Sequence, residues 1–212
     1  MNDIKEAKTN VLKMLDGPVD QALLELGFKR RKGSLVYKKK LLESIQEIEF
    51  VTDYFPRYED EDGAEAHIHP VFVWKIPSVS EEALKLVSGN KMLLANAPDI
   101  LLKQPIEICA PKENHERWFT KGQEDYPKVG IAICSFIEKW LVDLLESMQG
   151  IDDLLKAYES SNAFLLKQQH WYVFVTAAYM LRGAPEKAKL VMEEHLGNPG
   201  LRKRYSAVYD NL

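Results

Sequence analysis

Apolar positions at the start of the chain recur at helical spacing. Ile4, Val11, Leu12, Leu15, Val19, Leu23, Leu24 and Leu26 predict one or two amphipathic helices, interrupted at the Asp-Gly-Pro triplet of residues 16–18. Gly27 stands where such a helix ends in the left-handed conformation, and Phe28 where a Schellman ending folds an apolar residue back. The period then shortens. Residues 34–39, 45–55 and 65–76 read as strands, and in the second Ile48, Phe50 and Tyr54 alternate with Glu47, Glu49 and Asp53, as on a half-buried strand. In the third, Ile68, Phe72, Trp74 and Ile76 share one face while His67, His69 and Lys75 share the other. A fourth short strand is predicted over 105–109.

Helical spacing returns at 80–87, with Ser80 as its N-cap. The stripe Val129, Ile133, Phe136, Ile137, Trp140, Leu141, Leu144, Leu145 and Met148 predicts a continuous helix, broken by Gly150. Ile151, Leu154, Leu155 and Tyr158 begin another, with Asp152 and Asp153 near its positive end. Residues 171–196 carry the most specific architectural signal: two helices around a Gly183-Ala184-Pro185 turn, with small Ala178 and Ala188 allowing close approach. The pair is similar to one unit of a tetratricopeptide-type array, but no second copy follows at that period, so a helical cap on one domain is predicted. Strands early and helices late give an α+β class: an antiparallel sheet of three to five strands packed with helices, ending in a helical hairpin. One domain is expected over 1–212, with a helix-plus-sheet portion at 1–112 and a mainly helical portion at 113–212.

Two segments carry a family resemblance. LLELGFKRRKGSLVYKK, followed by an antiparallel strand set, and the closing AAYMLRGAPEKAKLVMEEHL resemble the bacterial domain-of-unknown-function family catalogued as 4304. The resemblance covers most of the chain in outline, outside 56–66 and 88–127, and implies an α+β fold in a soluble bacterial protein. Its motifs are structural, so it carries no catalytic residues to this chain.

Composition narrows the setting. With 212 residues and 46% hydrophobic content the chain can bury a substantial core. The first residues, MNDIKEAKTN, contain no apolar signal region, and no window approaches a membrane span, so a cytoplasmic protein without a membrane partner is expected. Cys109 and Cys134 are too few for a disulfide framework, and both lie in apolar runs where reduced thiols pack as small hydrophobes, which fits a reducing compartment. A net charge of -4 argues against general affinity for nucleic acid.

Four constellations are candidates for chemistry. His67 and His69 project the same way from a strand, and with Asp53 of the neighbouring strand they form a two-His-one-carboxylate set for a divalent metal, to which the acidic run 59–62 is also near. Plain solvent exposure of a polar face explains the same pattern. Lys29, Arg30, Arg31, Lys32, Lys38, Lys39 and Lys40 place seven cations within twelve residues, suited to phosphate or an acidic partner, with Tyr37 the one aromatic among them. The competing reading is a solvated face that guards a sheet edge. Tyr54, Arg57, Tyr58 and Trp118 are residue types that anchor protein interfaces, weighed against simple core filling. His115 near Cys109 is a weak thiol-base pair, and His170 and His195 read as surface histidines. The Gly27 to Gly33 segment fails as a phosphate loop in spacing, in Ser34 standing for Lys, and in following a helix. The chain contains neither a nucleophile elbow nor a zinc-protease helix motif. The expected role is therefore a non-catalytic module that binds another protein, an immunity or antitoxin-like protein being one version, with no cofactor called for. The alternatives are a metal-dependent hydrolase using His67 and His69, and phosphate or nucleic-acid binding through residues 29–40.

Overall fold

The computed structural model describes residues 4–57, 63–162 and 164–212. The opening periodicity folds as α1 (Ile4–Met14), a π-helical turn over Leu15–Val19 and α2 (Asp20–Glu25). The turn contains Pro18, which has no N-H to donate, and Gly17 leaves helical dihedrals there. Past α2, Gly27 takes φ +86°. Its N-H donates to Leu24 O at 2.9 Å, and the Phe28 N-H donates to Leu23 O at 2.9 Å. These are the two bonds of a Schellman ending, completed by burial of Phe28 and Leu23.

The sheet is built from β1 (Lys29–Arg30), β2 (Val36–Lys40), β3 (Ile45–Tyr54) and β4 (Ala66–Lys75). After α3 (Pro77–Leu86) come β5 (Leu102–Pro105) and β6 (Trp118–Thr120). The strand order is β1-β2-β3-β4-β5, and β6 also pairs with β4, in an antiparallel α+β architecture. In β3 the even-numbered Gln46, Ile48 and Phe50 are buried, while Val51 and Asp53 on the other face are exposed. β4 is buried on both faces, His67 included.

Several boundaries differ from expectation for identifiable reasons. α3 starts at Pro77, whose fixed φ suits the first helical turn, so Ser80 lies buried inside the helix and is not its cap. The strand expected at 105–109 lies at Leu102–Pro105. Residues Ile106–Cys109 form a 3₁₀ turn, where burial of Ile106 and Cys109 at i and i+3 matches three residues per turn. The predicted 129–148 helix is α4 (Asp125–Phe136), a π turn over Ile137–Leu141 and α5 (Val142–Glu146).

The chain divides into two compact units. The first comprises Met1–Lys40, Gln46–Phe72 and Gln104–Glu146, so residues 113–146 belong with most of the sheet and not with the later helices. Here α4 packs on α1, on the π turn after α1 and on β6. Tyr37 meets Phe50 edge-on at 5.7 Å, Trp118 meets Phe136 at 5.3 Å, and Gln46 Nε2 donates to Leu145 O at 2.7 Å.

The second unit comprises Leu41–Ile45, Val73–Lys103 and Ser147–Leu212. Its later helices are α6 (Ile151–Glu159), α7 (Gln169–Leu181), α8 (Pro185–Leu196), α9 (Pro199–Arg204) and α10 (Ser206–Asp210). α7 is central, buried from Val173 through Tyr179, because α3, α6 and α8 all pack on it. The α7–α8 turn is a second Schellman ending: the Gly183 N-H donates to Met180 O at 3.0 Å, and the Ala184 N-H to Tyr179 O at 2.9 Å. Ala178 and Ala188 are fully buried. Asn198 caps α9, its side chain accepting from the Leu201 N-H at 2.9 Å. Among the described residues no helix is long and apolar enough to cross a membrane.

Gly183 has φ +68°, and a Cβ added there would meet nothing within 4 Å. The Gly183→Ala substitution therefore isolates left-handed backbone strain and should destabilise the protein by about 1–2 kcal/mol, read as a lower urea midpoint at unchanged slope.

Candidate functional site

The β1–β2 register decides which cations share a surface. Lys29 lies opposite Lys38 and Arg30 opposite Tyr37. Alternation then places Lys29, Lys38 and Lys40 on one face, and Arg30, Tyr37 and Lys39 on the other. The first set lines a groove of about 660 Å³ together with Gly27, Arg30, Arg31, Ser34 and Val36, and no carboxylate is among the lining residues. Lys38 is neutralised by Glu47, 2.6 Å away and buried. Lys29, Arg31 and Lys40 make no ion pair among the described residues and are exposed. Lys32 is exposed in the turn, and Lys39 lies 5.9 Å over the Phe28 ring.

Arg30, expected in the basic surface, is instead its inner anchor. Its side chain is 4% exposed. The guanidinium forks onto Asp20, with Nε to Oδ1 and Nη2 to Oδ2 both at 2.9 Å. It also pairs with Asp16 and donates to Ser34 O at 3.0 Å. Tyr37, expected as an aromatic among the lysines, is buried on this same side. Its hydroxyl donates to Asp20 and lies 3.3 Å from Leu15 O. The Arg30 hydrogen bond holds the Asp20 carboxyl below the usual carboxylate range, against desolvation and with help from Tyr37. Burial, then the Asp20 hydrogen bond, drive the Tyr37 phenol well above its ordinary value.

The three metal-ligand candidates converge. Asp53 on β3 and His67 and His69 on β4 each offer a ligand atom, and these atoms lie within 4.8 Å of one another. His69 Nε2 is 3.1 Å from Asp53 Oδ2. The two imidazole centroids are 3.6 Å apart, and His67 also stacks on Phe119 at 4.0 Å and 22°. That stacking follows from the β4–β6 register, which sets His67 directly opposite Phe119. His67 is 3% exposed, contrary to a solvent-facing strand position. β6 supplies the cover, and it was not expected from the sequence.

The interface anchors separate. Trp118 is 4% exposed and packs on Phe136, which makes it a core residue and not a partner anchor. Tyr54 is half-buried with its phenol raised by burial, and Arg57 is exposed. Tyr58 and the acidic run 59–62 lie outside the described residues. Burial pushes the Cys109 and Cys134 thiols up to about 11, which leaves them protonated and poor nucleophiles. His115 bonds to Ala110 O at 3.1 Å. His195 has partners the sequence did not reveal: it stacks on Tyr172 at 3.9 Å and meets the Tyr158 hydroxyl at 3.2 Å. His170 is half-buried, which lowers its pKa.

Arg30→Ala should destabilise the protein by about 2 kcal/mol, at the low end for a buried pair because solvent reaches Asp20, measured by urea unfolding. The Asp20 pKa is depressed on folding, so its contribution is present above the ordinary carboxylate pKa and disappears as pH falls through the lowered value. Asp20→Asn should accordingly flatten the loss of stability between neutral and acid pH. Both cysteines should resist a disulfide-exchange thiol reagent in native buffer and react after denaturation. Comparison with family models, with curated proteins and with solved structures gives no match to this chain.

Proposed function

We propose that this chain is a non-catalytic binding module that receives an acidic segment of another protein in the β1–β2 groove. The observation that carries this reading is the single-sign lining: Lys29, Arg31 and Lys40 project into one concavity with no carboxylate among its lining residues. Isolated surface lysines that merely guard an edge need not converge on a groove. Carboxylates along a partner segment would meet several cationic donors there, with Arg31 able to bind one bidentately.

A nucleic-acid ligand is the weaker fit. Single-strand binding joins backbone contacts to aromatic stacking, and Tyr37, the aromatic of this segment, faces away from the groove and is buried. The net charge of -4 also opposes long-range attraction of a polyanion. Catalysis through the cysteines is disfavoured by their raised pKa values. A bacterial cytoplasmic setting, and membership of the family named from the Leu-Gly-Phe turn and the final hairpin, belong to this proposal. Buried free thiols suit that compartment, and both motifs are structural.

The test uses a labelled poly-glutamate peptide and a single-stranded oligonucleotide of equal charge, each titrated against the full chain by fluorescence anisotropy. The peptide should bind more tightly, and a Lys29→Glu, Arg31→Glu, Lys40→Glu variant should lose about tenfold or more in affinity at unchanged circular dichroism. Tighter oligonucleotide binding with a steep salt dependence would transfer the groove to nucleic acid. Failure of both probes would reduce it to a solvated sheet edge.

A further inference from the structure

Beyond the groove, the same strands assemble a second constellation, and we infer that Asp53, His67 and His69 form a mononuclear site for a divalent first-row transition metal. The donors come from adjacent strands of one sheet, which gives them a rigid base. His67 and His69 are two residues apart on β4 and project from one face, and Asp53 reaches His69 from β3.

The spacing suits coordination. Ligand bonds near 2.1 Å place neighbouring donors on one ion about 3.0–3.4 Å apart. His69 Nε2 and Asp53 Oδ2 already stand at 3.1 Å. The full set spans no more than 4.8 Å, so modest side-chain rotation brings the His67 nitrogen into the same sphere. Stacking on Phe119 at 4.0 Å and contact with His69 at 3.6 Å between centroids fix the His67 ring beside the other two donors.

The donor chemistry selects the ion class. Two imidazole nitrogens and one carboxylate oxygen favour zinc, iron or cobalt over magnesium and calcium, which prefer all-oxygen shells. Three protein donors leave at least one position for water or an oxygen-donor ligand. Accessibility rises from buried His67 through half-buried His69 to exposed Asp53, so the open position lies toward the Asp53 side. Arg117 opposes cation binding, but its guanidinium sits over the Phe119 ring, 5.4 Å from the centroid, with that ring stacked on His67.

The experiment titrates untagged, chelator-stripped full chain with zinc by calorimetry and with cobalt by visible absorption. One equivalent should bind with a dissociation constant of about 1 µM or tighter, and X-ray absorption of the zinc form should show two imidazole nitrogens in the first shell. His69→Ala should weaken binding about a hundredfold, and Asp53→Asn about tenfold. Both positions reach solvent, so folding can be verified by circular dichroism, and His195→Ala should bind as the parent does. Binding far below one equivalent, equal affinity in His69→Ala, or a zinc shell without two imidazoles would each overturn the site.

Discussion

The bidentate pair of Arg30 with Asp20 is the constraint on which the basic groove depends. Arg30 is one of four consecutive cations, Lys29 to Lys32, and nothing in its neighbours' chemistry singles it out. Once its guanidinium forks onto Asp20 at the start of α2, with Tyr37 donating to the same carboxylate, the two-residue period of β1 and β2 has no freedom left. Lys29, Lys38 and Lys40 must face the other way. A buried guanidinium is tolerable only because its donors are satisfied by Asp20, Asp16 and Ser34 O. The helix break at Gly17 and Pro18 is part of the same arrangement, since Asp16 and Asp20 flank it and both converge on Arg30.

The Schellman ending after α2 makes that pairing reachable. It reverses the chain within Gly27 and Phe28, so β1 starts immediately beside the helix that carries Asp20. Burying Phe28 and Leu23 anchors the reversal with apolar contact, which is non-directional, while the Arg30 fork supplies orientation. One interaction holds the turn and the other sets the register of the surface beyond it.

The sheet separates its two faces by chemistry. Gln46, Ile48 and Phe50 turn one side of β3 into core, while Glu47 and Asp53 on the other side are drawn into polar partnerships with Lys38 and His69. β6 alters this simple alternation by laying Phe119 against His67. A histidine that strand periodicity would leave in water is thereby desolvated, with a second imidazole and a carboxylate nearby. This is the local rule-breaking that marks a candidate functional cluster in an otherwise consistent fold.

Local physics determined much of this protein from its sequence. The Gly27 and Gly183 endings, the break at residues 16–18, the alternation of β3 and the same-face placement of His67 and His69 all follow from interactions spanning a few residues. Pro77 and the Asn198-Pro199 pair were equally local signals for the starts of α3 and α9. Tertiary structure alone decided the rest. A two-residue strand such as β1 and a three-residue strand such as β6 have no periodicity to read, and they exist only because β2 and β4 offer them backbone partners. Likewise, that Arg30 is buried while Arg31 is exposed, that Trp118 fills the core, and that Asp53 meets His69 depend on residues distant in the chain, because burial and ion pairing are properties of neighbours in space.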